Sequence, residues 1–212
     1  MSLDLVVLVS GSGSNLQAIL DAIAERRLDA NVRLVISNVP AVRALERATL
    51  AGVATKVVSH KEFGNRALFD AHLAELVRSA VGDGYVVLAG FMRILTATFL
   101  DAFPHRVINI HPSLLPAFPG VDAQKQAFES GVRITGCTVH LVDAGTDTGP
   151  ILAQAAVPVL DGDDRDKLAA RILEQEHAIL PRVLQWISEG RLHMAEGRPR
   201  FTGVTPALGF SA

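Results

Sequence analysis

The chain opens on an unbroken apolar run, Leu5 to Val9, set between Asp4 and the pair Ser10-Gly11. Apolar positions without alternation predict a strand buried on both faces. Leu16, Ala18, Ile19, Ala22 and Ile23 then recur at helical spacing, so a helix follows. Val32 to Ser37 reads as a second strand, 41–51 as a short helix stopped by Gly52, and Val53 to Val58 as a third strand. Over 65–81, Leu68, Phe69, His72, Leu73, Leu76, Val77 and Ala80 mark one side of a long amphipathic helix. Gly84 and Gly90 bracket a fourth strand, and Arg106 to Ile110 is a fifth.

Strands alternating with helices predict an α/β fold, Rossmann-like, with a mostly parallel twisted sheet and helices on both faces. Such sheets bind ligands beyond the carboxyl ends of their strands, which directs attention to loops 11–15, 91–95 and 111–120. After these the rhythm changes. Thr135 to Val142 and Ile151 to Val159 read as two long strands around the Gly- and Asp-rich stretch 143–150, an antiparallel element in the C-terminal half. Asp164 to Ser188 reads as a long helix capped by Asp, with Gly190 beyond its end, and 191–212 as short polar pieces.

Composition narrows the classes. The 212 residues are 49% apolar, enough for one large domain or two small lobes around a sizeable core. Net charge is -2 with both signs interspersed, so no basic face points to nucleic acid and no cationic helix to a membrane. The lone cysteine, Cys137, excludes an internal disulfide and fits a reducing compartment. No signal-peptide core and no membrane-length apolar run is found, so cytoplasm is the expectation.

The loop Gly11-Ser-Gly-Ser-Asn15 resembles a dinucleotide fingerprint, but Leu16 stands where its third glycine belongs and no acid occupies a convincing ribose position. What remains is a glycine turn at a helix N-terminus, with Ser14 or Asn15 as cap and free N–H groups facing an anion; a plain tight turn is the alternative. Asn109 and His111 lie two apart on a strand and so share a face at its end. An amide that stabilises an oxyanion beside an imidazole that moves protons is the minimum equipment for acyl transfer to an amine. Asp147, between the two late strands, would stabilise the His111 imidazolium if brought near, or is an ordinary hairpin tip. Cys137 and His140, three apart, face opposite ways and do not make a nucleophilic pair; no metal-ligand spacing occurs. His72 reads as a core histidine and Glu176 as a solvated helix charge.

Several stretches taken together carry a resemblance: SGSGSNLQAI at 10–19, SN with LERA within 37–48, VLAGFMRIL at 87–95, INIHPSLLPAFPG at 108–120, TGCTVHLVDAGTDTGPIL at 135–152 and EQEHAILP at 174–181. In these the chain resembles the phosphoribosylglycinamide formyltransferases (glycinamide ribonucleotide transformylases), folate-dependent enzymes of purine synthesis. The resemblance implies transfer of a formyl group from 10-formyltetrahydrofolate to the amine of 5-phosphoribosylglycinamide, with no metal. It places the ribonucleotide phosphate on Gly13, Ser14 and Asn15 and its ribose on Glu176. It assigns Arg66, Met92, Arg93, Ile94, Leu95 and Asn109 to the folate, together with the loop Asp143, Ala144, Gly145, Thr146 and Asp147. Asn109, His111 and Asp147 become the catalytic trio. Asp122 departs from the pattern: many relatives carry His there, able to touch the catalytic Asp.

The expectation is therefore a single formyltransferase domain over 1–212. A ribonucleotide-phosphate half spans approximately 1–100 and a folate-binding, catalytic half 101–212. Its partners are the two small-molecule substrates, without nucleic acid or membrane, and its state is monomer or homodimer. Formyl transfer to methionyl-tRNA and formyltetrahydrofolate hydrolysis are the rivals in the same chemical class. Both types carry an extra domain that 212 residues are not expected to hold. A folate or nucleotide sensor without turnover is the rival from another class.

Overall fold

The computed structural model describes residues 2–208. It consists of two compact units, one running to Asn109 and one from Ile110 onward.

The first unit is a βα repeat. Strand β1 (Leu3–Val9) leads through α1 (Ser14–Ala24) to β2 (Ala30–Ser37), α2 (Arg43–Leu50) and the short β3 (Thr55–Val57). A single 3-10 turn (His60–Glu62) and α3 (Arg66–Val81) return the chain to β4 (Tyr85–Leu88), followed by α4 (Ala97–Leu100) and β5 (Val107–His111). All pairings here are parallel, β3 on β2, β2 on β1, β1 on β4 and β4 on β5. The first two crossovers step outward from β1 and the third steps back past it. Right-handed connections therefore put α1 and α2 on one face and α3 on the other, with the switch point between β1 and β4. Leu5, Val6, Val7, Leu8 and Val9 are fully buried, as a strand covered on both faces requires.

The third strand is shorter than its apolar run. The Gly52 N–H bonds Thr49 and the Val53 N–H reaches back to the Ala48 carbonyl, so Val53 completes the end of α2 instead of entering the sheet. Gly52 takes φ +73, the left-handed conformation that this ending needs.

In the second unit α5 (Ala123–Glu129) precedes β6 (Ile134–Leu141) and β7 (Ile151–Pro158), which pair antiparallel. The long α6 (Arg165–Ser188) is capped by the Asp164 carboxylate on the Lys167 N–H and buries Leu168, Ile172, Ile179, Leu180, Val183 and Leu184. The stretch expected as short polar pieces instead forms a hairpin, β8 (Leu192–Ala195) with β9 (Arg198–Phe201), and then β10 (Ala207–Leu208) parallel to β7. Glu196 and Gly197, with φ of 52° and 73°, make the tight turn, and Phe201 packs on Trp186 at 5.4 Å. The end of that predicted stretch, 209–212, lies outside the described residues.

One glycine fixes how closely β6 and β7 approach: a Cβ on Gly136 would sit 1.9 Å from the Ala155 carbonyl oxygen. Gly136→Ala is expected to lower the unfolding free energy by about 2–4 kcal/mol, because backbone and not a movable side chain stands in the way. Denaturant titration checks this, and an unchanged midpoint contradicts it.

Candidate active site

In the first unit two loops leave the sheet at the switch point. The loop after β1 enters α1 through Gly13, at φ 71° and ψ 29°. A Cβ there would lie 2.6 Å from the Ala44 Cβ and 2.7 Å from its Cα, so no side chain fits where this loop passes α2. Ala44 N–H donates to the Gly11 carbonyl (3.1 Å) and Arg47 Nε to the Ser12 carbonyl (3.0 Å), which fix the turn. The expected cap differs. Gly13, not Ser14 or Asn15, is the N-cap of α1 and no side chain caps the helix. The left-handed entry demands glycine at that position, so the first-turn N–H groups stay uncapped by side chains, a ready anion site.

The loop after β4 carries Met92 and Ile94, which are 73% and 51% exposed, whereas Leu95 is turned into the core. The Arg93 guanidinium lies 5.6 Å from the centre of the Phe69 ring on α3. Arg66, the first residue of α3, is exposed one turn before Phe69. Asn65 caps that helix by accepting the Leu68 N–H at 2.9 Å. Asn109 is half-buried on β5.

In the second unit the Asp147 carboxylate stands at the centre. Its Oδ2 accepts the Gly120 N–H at 2.8 Å and lies 3.2 Å from His111 Nδ1; its Oδ1 lies 3.6 Å from His140 Nε2. His111 is buried, and its other nitrogen, Nε2, is 2.8 Å from the Phe118 carbonyl. Both neighbours of the His111 ring are acceptors, so the arrangement is satisfied when both ring nitrogens carry hydrogen. Ser113 donates to the Ala117 carbonyl at 2.5 Å, folding the Pro-rich stretch back over His111. Burial works to raise the Asp147 carboxyl, but His140, the Gly120 N–H and the charge on His111 outweigh it and hold the group below the ordinary carboxylate range.

Asp147 itself takes φ 55°, and its loop is tightly closed. Asp143 Oδ1 accepts from the Gly145 N–H at 3.0 Å and from the Thr148 hydroxyl at 2.7 Å, while Ala144, Gly145 and Thr146 are exposed. A Cβ on Gly149 would meet the Leu141 carbonyl oxygen at 1.8 Å. Asp122, which the resemblance marked as a departure, turns to the surface. Its carboxylate pairs at the surface with Arg165 at 3.2 Å. Glu176, expected as a solvated charge, is buried on α6; burial, and after it the Glu176 charge, pushes the Cys137 thiol up, which leaves Cys137 unsuited as a nucleophile. His72 is half-buried against Phe63, 5.4 Å away.

Three parts of this centre were not visible in the residue pattern. Strand alternation relates His140 only to Cys137 on its own strand, and nothing in it brings His140 to Asp147 seven residues further on. The Gly120 N–H and the Phe118 carbonyl are backbone groups, and only the Pro-Gly pair 119–120 hints that the chain turns back there. Among the described residues, no group of three or more His, Cys, Asp and Glu could hold a metal ion, and no helix is long and apolar enough to cross a membrane.

The formyl transferase family model matches residues 3–184, and the chain belongs to that family. It is 44% identical over 211 residues to the phosphoribosylglycinamide formyltransferase of Escherichia coli (strain K12), covering 99% of each. It is 50% identical over 186 residues to the trifunctional purine biosynthetic protein adenosine-3 of Drosophila melanogaster. That match takes in 87% of this chain, but the chain spans only 14% of that relative's length. The crystal structure of glycinamide ribonucleotide transformylase 1 from Symbiobacterium toebii aligns with a TM-score of 0.91 at 50% identity, covering 94% of each chain.

The depressed Asp147 carboxyl sets a pH dependence. An unfolded Asp titrates near about 3.9, and the folded group lies lower, so its stabilisation is complete above that value and lost as pH falls through the folded one. The stability advantage of the natural chain over Asp147→Asn is expected to stay level above about pH 5 and to shrink below about pH 4. Unfolding titrations across that range check it; an advantage that grows on acidification contradicts the assignment.

Proposed function

We propose that this chain transfers the formyl group of 10-formyltetrahydrofolate to the amine of 5-phosphoribosylglycinamide, giving formylglycinamide ribonucleotide and tetrahydrofolate, a step of purine synthesis. The observation that carries the reading is His111, with one ring nitrogen on the Asp147 carboxylate and the other on the Phe118 carbonyl, in a chain of the formyl transferase family.

The ribonucleotide phosphate binds at Gly13, Ser14 and Asn15, where the uncapped N–H groups of α1 and its dipole favour an anion. Glu176 takes the ribose hydroxyls. The folate packs on Met92 and Ile94, with Arg93 and the Leu95 backbone beside it. Arg66 pairs with its carboxylate end, and the loop from Asp143 to Asp147 closes over it. On this reading Arg66 and Met92 to Leu95 serve the folate from the unit that also carries the phosphate loop. Together the two units serve as one formyltransferase domain. A reducing, cytoplasmic setting suits a chain whose lone cysteine is buried.

The amine nitrogen attacks the formyl carbon, and the carbonyl electrons move onto oxygen. The Asn109 amide and the hydrogen-bearing His111 stabilise that oxyanion; one such donor is worth about 10²–10³-fold in rate. Asp147 keeps the His111 ring oriented and its charge compensated. On collapse the C–N10 bond breaks, N10 gains a proton and the attacking nitrogen loses one, with His111 mediating the transfer.

Purified protein given both substrates is expected to release tetrahydrofolate only when both are present. Release from 10-formyltetrahydrofolate alone would instead identify a hydrolase, and absence of turnover with intact binding would identify a sensor.

A further inference from the structure

The loop after β4 is pinned at both ends by polar groups from distant parts of the first unit. At its start the Met92 N–H donates to the Ser10 hydroxyl at 2.8 Å, and Ser10 passes its own hydrogen to Asn38 Oδ1 at 2.6 Å. At its far end one oxygen of Asp70, on α3, accepts both the Thr96 N–H at 2.6 Å and the Thr96 hydroxyl at 2.7 Å. Between the pins the Arg93 guanidinium rests over Phe69, the neighbour of Asp70.

Asp70 is an unusual choice for stability. It is 1% exposed on the helix face that also buries Phe69, Leu73, Ala74 and Val77. A carboxylate there loses its water, and its second oxygen, Oδ1, is buried without a hydrogen-bond partner. An apolar side chain would pack that position at lower cost, so the carboxylate is explained by what it holds. Two short charge-assisted bonds to one residue fix both the backbone and the side chain of Thr96.

What the pins hold in place is an apolar pair. Met92 and Ile94 are 73% and 51% exposed, and a slack loop would fold them inward. Held out at the switch point of the sheet, they offer a surface against which a flat heteroaromatic ring packs. The two pins also differ. Ser10 follows β1 and leads straight into the loop 11–15, so its bond ties both loops together, whereas the two Asp70 bonds go to Thr96 at the end of the loop after β4.

We propose that Asp70, acting through Thr96, is a positioning residue that shapes the formyl-donor site and leaves the ribonucleotide site alone. The inference rests on the reading of Met92 to Leu95 as folate-facing. Asp70→Asn keeps the shape but loses the charge. It is expected to raise the KM for 10-formyltetrahydrofolate and the Kd for tetrahydrofolate by about tenfold, while the KM for 5-phosphoribosylglycinamide stays within about twofold. Thr96→Val, which removes only the hydroxyl bond, is expected to move the same constants about threefold. Thr96→Ser keeps both bonds and is expected to match the natural chain. Ser10→Ala is expected to weaken both substrates.

Steady-state kinetics and tetrahydrofolate calorimetry on the full chain read these outcomes, and the Thr96 pair carries the test if Asp70→Asn does not fold. Constants for both substrates rising together in Asp70→Asn or Thr96→Val, constants that do not move, or Thr96→Ser behaving like Thr96→Val would each overturn the proposal. Normal turnover of the natural chain with unmoved variants sinks this inference alone. A natural chain that neither turns over nor binds tetrahydrofolate sinks the functional reading and this inference with it.

Discussion

The geometry beyond the sheet in the second unit depends on a single carboxylate. Asp147 gathers the Gly120 N–H and His111 on one oxygen and faces His140 with the other. These partners come from the end of β5, the Pro-rich stretch after it and the end of β6, so one side chain sets the relative position of all three. The protein accepts conformational cost to place it. Asp147 sits at φ 55°, the loop around it closes on Asp143, and Gly149 leaves no room for a Cβ.

The electrostatic consequence follows from the donor and acceptor inventory. A buried carboxylate is tolerated when its oxygens are filled, and here an N–H and two imidazoles fill them. In return the carboxylate and the Phe118 carbonyl leave the His111 ring no neighbour that donates. The ring is thus prepared as a donor before substrate arrives. A developing oxyanion is a stronger acceptor than a backbone carbonyl, so a hydrogen bond already formed is redirected, with little reorganisation at the moment of reaction. Asp122 pairs instead with Arg165, an exposed ion pair of the kind worth about 0–1 kcal/mol.

Much of the fold was legible because it rests on burial. A continuous apolar run such as Leu5 to Val9 has few ways to be satisfied other than as a central strand. Where backbone hydrogen bonding decides, the pattern misleads: Val53 is apolar enough for a strand, yet its N–H closes the end of α2. Short elements such as α5 and the β8–β9 hairpin span too few residues to show a period. Asn109 and His111 stood out because strand alternation is local. The return of 112–120 onto His111, the approach of His140 to Asp147 and the hold of Asp70 on Thr96 are tertiary events that no spacing rule encodes. The glycine turn is an intermediate case. That a glycine turn leads into the helix was readable, but Gly13 and not Ser14 or Asn15 is the cap, because only the left-handed entry brings the loop against Ala44.

Amide hydrogen exchange at Gly120 is the most direct probe of this arrangement, because that N–H is held by the Asp147 carboxylate. In the natural chain it is expected to be protected, and in Asp147→Ala, which removes the carboxylate, to exchange at least about tenfold faster. A Gly120 N–H that exchanges in the natural chain as fast as an open loop amide, or equally fast in both proteins, would contradict the claim that Asp147 holds the stretch after β5 in place.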